Sequence, residues 1–185
     1  MNLLFSFAPF IVFAVLIHLG YAEAGLWAGA LTAGGLLLRD RLVLGRSIKI
    51  LELGTMVLFA GLAAYTSRVD HEWTIPAVRL IVDGGLLLIA LFSLAIRVPF
   101  TLQYARESAP REVWSTPQFY AVNRNITAVW AGAFAVLVVA DAAMIYLPEI
   151  PRRIDIIATV LALVGAYTFT VRATGRAQEG VKVSG

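Results

Sequence analysis

The stretch Arg79–Ile96, "RLIVDGGLLLIALFSLAI", decides the fold. It is apolar apart from Arg79, Asp83 and Ser93. A helix needs about 20 mainly apolar residues to cross ~30 Å of hydrocarbon. Only a helix satisfies every backbone N–H and C=O within such a run. The stretch therefore predicts a membrane-spanning helix over Pro76–Ile96. Five more runs of the same kind follow the pattern: Leu3–Leu19, Ala22–Leu38, Ile48–Thr66, Ile126–Leu147 and Ile154–Val171.

Composition agrees. Of 185 residues, 59% are hydrophobic and 15% charged, against roughly 25% charged in an average soluble domain. Mean hydropathy is +0.80. So few charges do not cover the surface of a soluble protein of this size. The expected fold is an all-α integral membrane domain of six transmembrane helices over residues 1–174, followed by a flexible tail over 175–185. The opening run ends at Ala22-Glu23-Ala24, which has the form of a signal-peptidase site. No Lys or Arg precedes it, so the segment is kept as a helix.

The net charge of +3 is explained by topology and not by nucleic acid. Arg39, Arg41, Arg46 and Lys49 follow the second run, and Arg97, Arg106, Arg111 and Arg124 follow the fourth. Arg172, Arg176 and Lys182 follow the sixth. These fall on one side of the membrane, against Arg68, Arg152 and Arg153 on the other. The positive-inside rule then puts both termini in the cytoplasm. Small residues at helical spacing, including Gly25 and Gly29, Gly54 and Gly61, and Gly132, suit close helix packing in lipid.

Residues 97–125 form the one sizeable connection. Pro99 suits a helix start, and Phe100 and Tyr104 share a face at i, i+4. Trp114, Phe119 and Tyr120 follow, and such rings favour the headgroup layer. The expectation is an interfacial helix on the inner leaflet over 98–121, with these five aromatics as the docking residues.

Ionisable residues inside a span are costly, and each is a candidate site. His18, Glu23, Arg79, Asp83 and Asp141 are all expected toward the outer face. Arg79 and Asp83 stand at i, i+4 and can pair. Two readings stay open: a structural set of pairs, or an outward-facing polar pocket for a proton or small cation. A second polar group, Lys49, Glu52, Asn123, Arg124 and Asn125, lies toward the inner face. The expectation there is an ion pair between Glu52 and Arg124 that orients two helices.

Several chemistries lack their residues. There is no cysteine, no H-E-x-x-H, no Walker A and no G-x-G-x-x-G. His18 and His71 stand alone, and no carboxylate cluster suited to a Mg²⁺–diphosphate is present. No catalytic residue, metal ligand or cofactor is assigned.

The second half carries "VPFTLQ", "REVWS", an asparagine before "VWAGAF", and "IYLP". The residues concerned are Pro99, Gln103, Trp114, Asn125, Trp130, Ala131, Phe134, Tyr146 and Pro148. With the opening "FAPFIVFAVL", they resemble the YciB/IspZ intracellular septation protein A family of small bacterial inner-membrane proteins. The chain departs from that family's pattern in its Gly/Ala-rich second run and in residues 104–120. The resemblance implies a multi-pass inner-membrane protein tied to cell elongation and septation, acting by protein contacts and without catalytic residues. The expected partners are membrane lipids and a membrane protein or a second copy of the chain, with no nucleic acid. A small transporter or channel using Asp83 and Asp141 is the alternative function. A membrane-embedded lipid-modifying enzyme is the third.

Overall fold

A computed structural model describes residues 6–69, 74–147 and 149–183, with side chains as far as residue 176. Residues 3–5 of the first expected span, His71, Pro148 and the Lys182 side chain lie outside the described residues. The regular elements among the described residues are all helical. They are α1 (Ala8–His18), α2 (Ala22–Leu38), α3 (Ile50–Thr66), α4 (Ile75–Ala95), α5 (Phe100–Ser108), α6 (Pro117–Tyr146) and α7 (Arg152–Val183). A π-helical turn, Arg39–Val43, extends α2, and a 3-10 turn, Arg111–Val113, precedes α6.

Three helices, α4, α6 and α7, are long and apolar enough to cross a membrane. The chain is on that ground a membrane protein. The other expected spans are shorter. α1 has 11 described residues, and α2 and α3 have 17 each. At 1.5 Å per residue a 17-residue helix reaches ~25 Å, short of a ~30 Å core. Apolar composition found these runs, but their ends are set by local backbone chemistry. Gly20, at φ +90, stops α1 with paired bonds from Gly20 N–H to Ile17 C=O and from Tyr21 N–H to Leu16 C=O. That is a Schellman ending. α4 ends the same way at Arg97, φ +58, where Arg97 and Val98 return to Leu94 and Ser93. A left-handed arginine costs ~1–2 kcal/mol that glycine would not.

Two boundaries differ more. α6 starts at Pro117 and not at Ile126, because Thr116 caps it: its hydroxyl accepts the Phe119 N–H at 3.2 Å. Pro117 then sits where a missing N–H costs nothing. The connection over 98–121 is therefore two short helical pieces plus the first turns of α6. The tail expected to be flexible from 175 is helical to Val183. The first turns of α6 and the last turns of α7 extend beyond the apolar runs at the same end of this antiparallel pair.

The contacts gather the chain into two compact units, Met1–Ile89 and Ala90–Gly185, and the boundary falls inside α4. In the first unit α2 packs between α1 and α3. Phe13, Ile17, Leu26, Ala30, Phe59, Ala63, Val78 and Val82 form its core. The glycine pair of α2 is used within the chain. A Cβ on Gly25 would meet Phe13 and Leu16 at 3.3 Å, and one on Gly29 would meet the Phe59 ring at 3.1 Å. Gly61 and Gly132 face open space instead. In the second unit α6 packs along α7, and the Trp130 indole donates to the Thr170 hydroxyl at 3.1 Å.

Gly29→Val should push on a fully buried Phe59 and cost about 1–3 kcal/mol, as overpacked cores do. Gly61→Val should change stability by no more than about 0.5 kcal/mol. Thermal unfolding of the two variants in the same detergent separates them.

Candidate functional site

Three buried stripes end on polar residues at one end of the first unit. The stripe of α1 runs back from Ile17 through Phe13 and Pro9 to Ser6. That of α2 runs Leu26, Ala30, Ala33, Leu37 and then, three residues on, Asp40. That of α3 runs back from Ala63 through Phe59 and Thr55 to Glu52. Because α1, α2 and α3 alternate in direction, these three ends meet. Helical periodicity carries each polar group inward.

Lys49 closes the set. It has no exposed surface, and Asp40 and Glu52 are each 2% exposed. Its ammonium donates to Asp40 Oδ2 at 2.8 Å and to Glu52 Oε1 at 3.3 Å. Ser6 donates to the same Glu52 oxygen at 3.2 Å. Arg39 donates to Asp40 Oδ1 at 2.9 Å, and Arg46 lies 4.0 Å from Oδ2. Asp40 and Glu52 thus share the Lys49 ammonium at the α2–α3 reversal, with the Arg39 and Arg46 guanidiniums beside Asp40. Burial alone would raise the Asp40 carboxyl. The hydrogen bonds from Lys49 and Arg39, with their positive charges, outweigh it and hold the carboxyl below its usual value.

Of the polar group expected toward the inner face, Lys49 and Glu52 come together here. Arg124 is exposed and hydrogen-bonds Asn125 at 3.5 Å. Asn123 is buried, and its amide donates to the Phe119 carbonyl of its own helix at 2.8 Å. Lys49 bonds Asp40 and Glu52, and Ser6 donates to Glu52. Asp40 was legible as the next step of the α2 stripe.

The expected outer cluster does not gather as one set within the first unit. His18 is exposed, with Nδ1 2.7 Å from its own Ala14 carbonyl. The Glu23 carboxylate accepts the Ser67 hydroxyl, which also receives the Trp27 indole N–H at 3.4 Å. Arg79 and Asp83 are half-buried, one turn apart on α4. Asp141 belongs to the second unit, on α6, with no exposed surface. Among the described residues no three His, Asp or Glu side chains stand as a metal site would require.

The 97–125 connection is a built platform. Ser93 Oγ accepts the Phe100 N–H that opens α5, at 3.2 Å. Thr101 Oγ1 lies 2.8 Å from both the Asn123 carbonyl and Thr127 Oγ1, tying α5 to α6. Phe100 and Tyr104 are buried in this arrangement, so they are not an outward docking face. Their i, i+4 spacing marks the packed side of α5 and not its free side. Trp114, Phe119 and Tyr120 remain half-exposed. The Trp114 indole donates to the Ala109 carbonyl at 3.0 Å, and the Arg106 and Arg111 guanidiniums lie 5.8 and 5.7 Å from the centre of the Trp114 ring. This is cation–π range.

Comparison with family models, with curated proteins and with solved structures finds no match.

Lys49→Met leaves two buried carboxylates without their shared cation and should cost about 3–5 kcal/mol, read as a fall in the denaturation midpoint. Acid should act through Asp40. A depressed carboxyl contributes stability that is complete above its unfolded value, near 3.8. That stability is lost as pH falls through the lower folded value. The melting temperature should therefore fall below about pH 4, and Asp40→Asn should flatten that acid limb.

Proposed function

We propose that the protein is a multi-pass component of the bacterial inner membrane that works through protein contacts in the cell envelope, with 97–125 as its docking segment. The observation that carries this reading is the platform itself. Thr101 fixes α5 on α6, and Trp114 holds two arginines at an exposed edge. A flexible linker would have no need of such bonds, whereas a recognition surface gains from side chains ordered before the partner arrives. Arginine and tryptophan are also the residues most enriched at binding hot spots. The resemblance to the YciB/IspZ septation protein A family points the same way, since Trp114 and Asn125 are among the residues that carry it.

The proposed topology keeps six crossings with both termini cytoplasmic. The platform, Arg39–Lys49 and the C-terminal turns of α7 then share the basic side. The short helices of the first unit cross with local thinning of the bilayer. A second reading, a small transporter or channel, draws on Asp141, a wholly buried carboxylate on a helix long and apolar enough to span.

Native mass spectrometry of protein released gently from its own membrane tests both. The expected result is a stoichiometric protein partner that is kept by Asp83→Asn and Asp141→Asn. It should drop at least tenfold in Trp114→Ala combined with Arg106→Glu and Arg111→Glu, with the helical signal and melting temperature unchanged. A lone chain carrying a small molecule or ion that either aspartate variant loses would overturn the docking reading in favour of transport.

A further inference from the structure

α5 and the first turns of α6 pack as a helical hairpin. At its base Thr101 Oγ1, in the first turn of α5, meets the Asn123 carbonyl and Thr127 Oγ1 of α6. At its tip the chain turns tightly. The N–H groups of Val113, Trp114 and Thr116 return there to the carbonyls of Pro110, Arg111 and Val113. The base therefore stands where the apolar run of α6 begins, at Ile126, and the tip stands at the far end of Pro117–Asn125. Those residues rise ~13 Å at about 1.5 Å each. The headgroup layer of one leaflet is only about 5–8 Å deep, so the tip stands in water beyond the lipid phosphates.

Trp114 and its two arginines occupy this tip. The bond from the indole N–H to the Ala109 carbonyl, 3.0 Å, fixes the ring. Arg106 and Arg111 are both exposed, and both guanidiniums lie within cation–π range of that one ring. Among the described residues neither forms an ion pair. Glu107 and Glu112 are next to them in sequence, but adjacent positions on a helical turn do not face each other. Two positive groups gathered on one ring repel each other, and no ion pair offsets the repulsion. Contact with a ring face uses none of the guanidinium N–H donors. They stay available for the fork that matches a carboxylate.

Resting on the docking reading of 97–125, we propose that the partner presents an acidic segment to this tip, with Asp or Glu carboxylates gripped by Arg106 and Arg111 at the edge of Trp114. A lipid phosphate has a suitable charge, but the hairpin lifts the site past the phosphate layer. Trp114 gathers both guanidiniums before the partner arrives, so less side-chain freedom is lost on binding.

The test uses the full chain in its own membrane with Arg106→Lys and Arg111→Lys combined. This variant keeps both charges and supplies amines, which a carbodiimide joins to touching carboxylates as amides. The expected result is an amide link from position 106 or 111 to an Asp or Glu of another protein, read by mass spectrometry of the digested product. Native mass spectrometry of the gently released complex should find the partner kept by this charge-keeping variant. Combining Arg106→Gln with Arg111→Gln should lower its retention about tenfold or more, as loss of a charged interface pair does. Both arginines are exposed, so both variants should melt with the unaltered chain. A partner held equally by the charge-neutral variant, or links confined to Glu107 and Glu112 of the same chain, would overturn the acidic partner and leave the docking reading standing. An anionic phospholipid kept by the unaltered chain and lost from the charge-neutral variant would overturn it in favour of a headgroup. Absence of any partner from the unaltered chain would overturn the docking reading as well.

Discussion

A backbone amide in hydrocarbon has no water to bond, so each N–H and C=O in a span must find its partner within the chain. That constraint makes α4, α6 and α7 helices before any side chain is considered. It also moves the design problem to the helix ends, where carbonyls and amides lose their partners. The chain answers with short-range devices: the left-handed turns at Gly20 and Arg97, the Ser93 hydroxyl at the start of α5, and Thr116 at the start of α6. Gly20, Arg97 and Thr116 each lie within two residues of the helix end they serve, and Ser93 reaches from the last turn of α4 to the start of α5.

Side chains face the same shortage of polar partners, and Lys49 shows how it is met. An ammonium removed from water is costly unless paired and hydrogen-bonded. Here it receives two carboxylates, one from the turn before it and one from the helix after it. The same bonds close the α2–α3 reversal, so the ion pairs and the chain reversal are one structure. The set acts as a clamp, with the arginines beside it on the more exposed side. The Thr101–Thr127 contact does comparable work in the second unit without charge, holding α5 against α6 so that Trp114 and its two arginines keep their places.

Sequence periodicity contained more of this than composition did. The stripe Leu26, Ala30, Ala33, Leu37 points to Asp40 by continued helical spacing, and Phe59 and Thr55 point back to Glu52. Charge and distance from the span ends do not single out Asp40 as the partner of Lys49, because the residues after Leu38 read as a loop. Spacing likewise placed Phe100 and Tyr104 on an outward face. An amphipathic nine-residue helix has one apolar side whether it lies on lipid or on protein, and spacing does not distinguish the two.

The sequence by itself determined that the chain is helical and meets a membrane, since the length and apolar character of the runs leave the backbone no other way to satisfy itself. It also determined the helix starts and stops that carry a Gly, Pro or Thr signal. Only the tertiary structure decided which neighbours those helices take. Gly25 and Gly29 serve α1 and α3 respectively, Lys49 belongs with Asp40, and Asp141 and Asp83 fall in different units. The physical reason is that a hydrogen bond or a close helix approach depends on distances across the packed chain. A one-dimensional pattern fixes only which face a residue occupies.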